Sequence, residues 1–169
     1  ERGAGGDAFA YGVVGVTPNG RYVISGAYDQ TVKLWDFETG DNLATMGGHN
    51  GRVNDLVLSP DSQFAYSAGG DSLIKQWHLE SHKDTQTLKG HTGEVHALAL
   101  SSDGELLASG SYDHTIRLWQ PQTGETITTL TAHTKPVTSV SFSADNQYLA
   151  SKSVDNTVRI WRCSDWNTV

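Results

Sequence analysis

The sequence predicts an all-β chain made of four copies of one small antiparallel sheet. Three observations predict it. Tryptophan recurs at Trp35, Trp77, Trp119 and Trp161, 42 residues apart at every step, and the same step carries Ser25, Ser67, Ser109 and Ser151, then Asp29, Asp71, Asp113 and Asp155. Histidine joins the phase at His49, His91 and His133, and no insertion breaks it. A period of this length marks an array of one supersecondary unit. Turn-forming clusters sit at fixed places in each unit: "TPNG" at 17–20, "SPDS" at 59–62, "SSDG" at 101–104 and "SADN" at 143–146, rich in the residues that tight turns need. Between the turns the apolar residues alternate, and no helical period is sustained.

Each unit then reads as four short strands. Strand one alternates Val14 and Val16, Leu56 and Leu58, Leu98 and Leu100, Val140 and Phe142. Strand two is "RYVISG", "QFAYSA", "ELLASG" and "QYLASK". A second tight turn holds the periodic aspartate. Strand three is "TVKLW", "SLIKQW", "TIRLW" and "TVRIW", weighted toward the β-branched residues that fit a pleated surface. Strand four is clearest in "ETITTL". Repeat bounds fall at about 7–48, 49–90, 91–132 and 133–169.

The totals agree with a turn-rich globular chain. Its 169 residues are 37% hydrophobic and 18% charged, with 18 glycines, which is enough apolar material for a core and too much for disorder. No run of 18 apolar residues is present to span a membrane, and no leader pattern opens the chain, which begins at Glu1. The net charge is −7; nucleic-acid binding draws on clustered cations, so no nucleic-acid or membrane partner is expected. Cys163 is the only cysteine, which precludes an internal disulfide and fits an intracellular, cytoplasmic setting.

These motifs resemble the WD-repeat family of β-propellers, whose four-stranded blades take about 40–45 residues each. The matching residues are Gly48-His49, Gly90-His91 and the tryptophan ending each third strand, and the likeness runs from about Asp7 to Trp161. There are departures. The literal Trp-Asp pair survives only at Trp35-Asp36; elsewhere His78, Gln120 or Arg162 follows the tryptophan. The glycine-histidine pair becomes Ala132-His133 in the fourth repeat and Gly6-Asp7 in the first. The resemblance implies β-propeller blades, four of them four-stranded, forming part of a seven- or eight-bladed ring.

The stretch from His91 to Trp119 contains a histidine, a serine and an aspartate, the side chains of a hydrolase triad. The resemblance gives these residues a structural role instead: one buried hydrogen-bond network per blade, formed by His49, Ser67, Asp71 and Trp77, by His91, Ser109, Asp113 and Trp119, and by His133, Ser151, Asp155 and Trp161. The chemistry is consistent on its own terms. An indole N–H only donates, a carboxylate only accepts, and a hydroxyl and an imidazole can do both. Three copies at one spacing suit architecture, whereas a catalytic triad needs one accessible serine beside an oxyanion hole. The first repeat breaks the set: Asp7 stands where histidine should be, and two carboxylates cannot bridge each other, so this repeat is expected to be the least rigid or to leave Asp7 exposed.

Other residues are read more plainly. Lys33, Lys75, Arg117 and Arg159 share one position two before the tryptophan and are expected on a solvated strand face, a basic binding stripe being the alternative. His78 and His82 are four apart, but on a strand end and a loop they are not expected to bind metal, and His96 and His114 are expected at the surface. No catalytic residue, metal or cofactor is expected.

The resemblance also implies a partner surface on the face that carries the loop before strand one and the turn before strand three. There Tyr28, Arg52, Asn54, Glu94, His96 and Tyr112 are the candidate partner-binding residues, beside the network. The expected function is a protein-protein interaction scaffold or recognition platform with a protein or peptide partner, the WD-repeat part of a larger multidomain signalling or assembly protein. The alternatives are a small Ser/His/Asp hydrolase and a nucleic-acid or peptide reader using a local patch. Four blades do not close a large ring. The remaining blades are expected from the same parent chain or from a second copy; a compact four-blade ring or an open arc is the third arrangement. The final repeat stops at Thr168-Val169 just where its fourth strand should begin, and Glu1 to Ala4 share the phase that could supply it.

Overall fold

The computed structural model describes residues 12–169. Fifteen strands, β1 to β15, form four antiparallel meanders, each pairing consecutive strands. Blade one holds β1 (Val13–Val16), β2 (Tyr22–Gly26), β3 (Thr31–Asp36) and β4 (Asn42–Gly47). Blade two holds β5 (Val53–Leu58), β6 (Phe64–Gly69), β7 (Ile74–His78) and β8 (Lys83–Leu88). Blade three holds β9 (Val95–Leu100), β10 (Leu107–Ser111), β11 (Ile116–Trp119) and β12 (Thr126–Leu130). Blade four has three strands, β13 (Val137–Phe142), β14 (Tyr148–Ser153) and β15 (Val158–Arg162). Its fourth strand is reduced to a bridge from Trp161 to Thr168, which occupies the place of Trp35–Asn42, Trp77–Asp84 and Trp119–Thr126 in the other blades. The complementary residues Glu1 to Ala4, and Asp7 with them, lie outside the described residues.

The turns are as periodic as the strands. Positive φ falls at Gly20, Ser62, Gly104 and Asn146 after each first strand, at Gln30, Ser72, His114 and Asn156 after each periodic aspartate, and at Gly40, His82, Gly124 and Trp166 after each third strand. Every hairpin therefore turns through one left-handed residue, which glycine and asparagine adopt at least cost. His82 and His114 owe their places to these turns. The loops before the first strands and the turns after the periodic aspartates form one rim of the array, the upper rim; the other two sets of turns form the lower rim.

The core lies between blades. Ile24, Val32, Leu34 and Met46 of blade one pack with Val53, Ala65, Trp77 and Leu79 of blade two. Tyr66, Ala68, Ile74 and Leu88 meet Val95, Leu98, Leu107 and Trp119 across the next junction, and Ala108, Ile116, Leu118 and Leu130 meet Val137, Val140, Leu149 and Trp161 across the third. Each blade thus presents its tryptophan to the blade before it. Close approach depends on small residues at one column: an added Cβ on Gly26 would run into Val53, and one on Gly110 would reach Val137 at 2.7 Å. Lys152 holds that column in blade four and is exposed.

The two ends of the array stay open. Val14 and Val16 are exposed on blade one, as are Tyr148, Val158 and Ile160 on blade four. The alternating apolar residues of strand one are therefore covered only where a preceding blade exists: Leu56 and Leu58 pack into the first junction, whereas Val14 and Val16, at the same positions, face solvent. The four described blades form an arc, not a compact ring.

Candidate functional site

The repeated polar column is assembled by three elements of one blade. The upper loop brings the histidine, the second strand the serine, and the turn that follows it the aspartate. In blade three His91 Nδ1 lies 2.8 Å from Asp113 Oδ2, His91 Nε2 lies 2.7 Å from Ser109 Oγ, and Trp119 donates its indole N–H to the same oxygen at 2.8 Å. Blade two repeats this with His49 Nδ1 to Asp71 at 3.0 Å, His49 Nε2 to Ser67 at 2.7 Å and Trp77 to Ser67 at 2.8 Å. Blade four has His133 to Asp155 at 2.9 Å, His133 to Ser151 at 2.8 Å and Trp161 to Ser151 at 2.9 Å.

The order of donors follows from the chemistry. A carboxylate only accepts, so Nδ1 carries the ring hydrogen; Nε2 then accepts from the serine hydroxyl, whose oxygen accepts from the indole. The carboxylate also takes a backbone N–H from the histidine loop, from Asn50, Thr92 and Thr134 in turn. Burial pushes the Asp113 carboxyl up, but hydrogen bonds from His91 and Thr115 hold it well below the usual carboxylate range. Asp155 is held equally low, chiefly by the hydroxyl of Thr157, with His133 and the Thr134 amide adding to it. Burial lowers the proton affinity of His49 despite the neighbouring Asp71.

Blade one keeps only part of this. Trp35 donates to Ser25 at 2.9 Å, while Asp29 turns to Thr31 and sits 3.7 Å from Lys33. The Asp29 side chain is 53% exposed, against 8% for Asp71 and Asp113. A carboxylate without an imidazole to hold it has no reason to leave water.

The cation column departs from the solvated face that the sequence suggests. Lys75 is buried; its ammonium meets Asp84 at 3.1 Å and Thr87 at 3.2 Å and lies 5.9 Å from the Trp77 ring centroid. The Arg117 guanidinium lies 6.0 Å from the Trp119 ring, and the Nε atoms of Arg117 and Arg159 are buried. Lys75 and Arg117 lie along their tryptophans. Among the described residues no group of His, Cys, Asp and Glu is set to hold a metal; His78 bonds Ser81 instead.

The six candidate partner residues gather on the upper rim. Arg52 reaches back to the Tyr28 hydroxyl at 3.2 Å and forward to Glu94 at 2.8 Å, so one guanidinium links blades one, two and three. Asn54 donates to the Val95 carbonyl at 2.8 Å. His96 is half-buried, not the plain surface residue of the sequence reading, because it stacks on Tyr112 with ring centroids 4.9 Å apart and planes 14° from parallel. Tyr28 and Tyr112 remain 44% and 41% exposed. A cavity of about 220 Å³ opens among Val13, Tyr28, Arg52, Asn54 and His96.

Sequence reasoning missed Asp55. It accepts from the Leu98 amide at 2.7 Å across the second junction and from Leu56 at 2.8 Å, and burial raises its carboxyl's proton affinity. The signal was present: the same repeat position is Val13, Ala97 or Ser139 elsewhere.

Comparison with known proteins adds four findings. The family described as "WD domain, G-beta repeat" matches residues 8–36, 40–78, 82–120 and 124–162. A nuclear distribution protein PAC1 of Candida tropicalis is 47% identical over 47 residues, 24% of this chain and 10% of that protein. Nuclear distribution protein PAC1 of Scheffersomyces stipitis is 41% identical over 49 residues, covering 25% and 9%, and PAC1-2 of Postia placenta 45% over 38 residues, covering 22% and 9%. The matches span about a tenth of the length of those relatives.

Proposed function

Because the chain belongs to the WD-repeat family, we propose that it is a rigid protein-interaction platform that receives a protein or peptide through its upper rim. Repeats of this family typically serve as scaffolds without catalysis of their own. The observation that carries the reading is the gathering of Tyr28, Arg52, Glu94, His96 and Tyr112 from three blades on one face. Exposed tyrosine and arginine held in place by neighbours are favoured interface anchors, since little side-chain freedom is left to lose on binding.

The hydrolase alternative finds no support in the geometry. Ser67 and Ser109 are 0% exposed and Ser151 2%, and each hydroxyl oxygen is occupied by an indole donor. The net charge of −7 supports a protein partner over nucleic acid. No helix among the described residues is long and apolar enough to cross a membrane. Cys163, the only cysteine, supports placing the chain inside the cell. Similarity to nuclear distribution proteins runs over little more than one repeat, so it supports the blade's role and not that pathway. The missing blades come from further sequence of a larger multidomain signalling or assembly protein, with a second copy of this chain as the other source.

The test is affinity capture with the wild-type chain and with the double variant Arg52→Ala, Tyr112→Ala. The proposal expects specific partners to be lost in the variant while its melting temperature stays put. Partners retained at unchanged affinity overturn the assignment of this face.

A further inference from the structure

The junction between blades two and three differs from its neighbours on the lower rim. At the first junction the Asn19 amide donates to Ser62 Oγ at 3.2 Å, and at the third the Ser102 amide donates to Asn146 Oδ1 at 3.0 Å. Ser62 and Asn146 hold the same repeat position, and at the second junction that position is Gly104, which has no side chain to accept. The counterpart of Ser102 is Pro60, which has no N–H to donate. The counterpart of Asn19 is Asp61, whose N–H finds no side-chain acceptor on Gly104, and a cleft of about 360 Å³ opens there.

The wall of the cleft also departs from the repeat. Ile24 and Leu34, Ala108 and Leu118, and Ala150 and Ile160 are the pairs at one cross-strand site, but in blade two the pair is Tyr66 and Gln76. Both are buried, Tyr66 to 3% exposure. Gln76 is fully engaged: its Nε2 donates to Tyr66 OH at 2.9 Å and to the Pro121 carbonyl at 3.3 Å, and its Oε1 accepts from Thr85 at 2.6 Å. The Tyr66 hydroxyl has its own proton left over, with no acceptor for it among the described residues, and it lines the cleft. A buried polar group of this kind costs free energy unless something completes it.

The lining carries Asp61, Asp103 and Glu105 and no cation. Asp103 is engaged by Ser101 and by Asn146, whereas Glu105 accepts no side-chain bond among the described residues and Asp61 keeps Oδ2 open. Phe64 adds an aromatic face. Free carboxylates at the mouth, an aromatic wall and an unfilled hydroxyl match a planar cation that forks onto a carboxylate and stacks on a ring, with its backbone carbonyl in reach of a donor. We propose that this lower cleft between blades two and three is a second binding site, separate from the upper rim, which takes an arginine side chain from a basic peptide segment of a partner.

The probe is the blocked pentapeptide acetyl-Gly-Ser-Arg-Ser-Gly-amide, titrated into the isotope-labelled chain by heteronuclear NMR beside its citrulline and lysine counterparts. The proposal expects saturable shifts at Asp61 to Tyr66 and Gly104 to Glu105, with the citrulline and lysine peptides each weaker by about tenfold. Gly104→Asn supplies the missing acceptor to the Asp61 amide, as Ser62 does to Asn19, and should abolish the shifts. Its backbone suits asparagine, since Asn146 holds the same position at φ 57° and Gly104 lies at φ 76°, although the new Cβ comes within 3.2 Å of Pro60. Glu105→Gln needs no repacking and should weaken the arginine peptide severalfold at unchanged melting temperature. Tyr112→Ala, on the other rim, should leave it untouched, which separates this site from the interaction face proposed above. Equal binding of the citrulline or lysine peptide, shifts confined to the upper rim, or no saturable shift at all overturns the proposal.

Discussion

Ser109 Oγ lies 2.8 Å from the indole nitrogen of Trp119 and 2.7 Å from His91 Nε2, so one hydroxyl joins the second strand, the third strand and the upper loop of a blade. Removing it strands two buried ring nitrogens. Ser109→Ala should lower stability by about 1–3 kcal/mol. Ser25→Ala, where only Trp35 is a described partner of the hydroxyl, should cost about 0.5–1.5 kcal/mol. Urea unfolding of the two variants checks the order; an equal loss in both would remove the histidine from the account.

His49 binds a proton less readily when folded than free, because burial outweighs Asp71. The unfolded chain therefore takes up that proton first, near pH 6.5, and stability present above that pH is lost as the pH falls through the folded value. The depressed carboxyls of Asp113 and Asp155 act later with the same sign, full above about pH 4 and lost on further acidification. NMR titration should find the His49 ring neutral at pH 7 and titrating below 6.5, and melting temperature should fall in two stages toward acid.

Gly110 sits where blade four presses on blade three, with Val137 2.7 Å and Val140 3.4 Å from an added Cβ. Gly110→Ala should cost about 1–3 kcal/mol through overpacking. Gly47 has open space around it, and Gly47→Ala should stay within about 0.5 kcal/mol. Thermal melts of the pair separate junction packing from any general effect of losing a glycine.

The open ends expose Val14 and Val16 on one side and Val158 and Ile160 on the other. Apolar faces of this kind associate in water. Light scattering on a sizing column should find the isolated chain above 18.3 kDa, and Val14→Glu with Ile160→Glu should return it to the monomer. A wild-type monomer that stays soluble at high concentration would count against sticky ends.

The sheet order and the polar column were legible because both repeat: a tryptophan, a serine, an aspartate and a histidine in one phase can satisfy one another in only a few ways, and turns betray themselves by composition. What the sequence hid lies at the junctions. Whether Val14 or Leu56 is covered depends on the presence of a neighbouring blade, not on the residue. The burial of Lys75 depends on the tryptophan it lies along and on Asp84 across the strand pair. Asp55 and the Tyr66–Gln76 pair were visible only as departures from a column, and a departure gains meaning once the opposing blade is known.

The rungs on the lower rim also set how the arc responds to load. At the third junction a bending force that parts the lower turns must break the cluster around Asn146, which joins Ser102 and Asp103. At the second junction the one lower hydrogen bond among the described residues runs from Gln76 to Pro121, while Arg52, Asn54 and Asp55 tether the upper side. The first junction likewise has one described lower bond, from Asn19 to Ser62, so flexure concentrates at the two junctions away from blade four, with the upper tethers as its pivot.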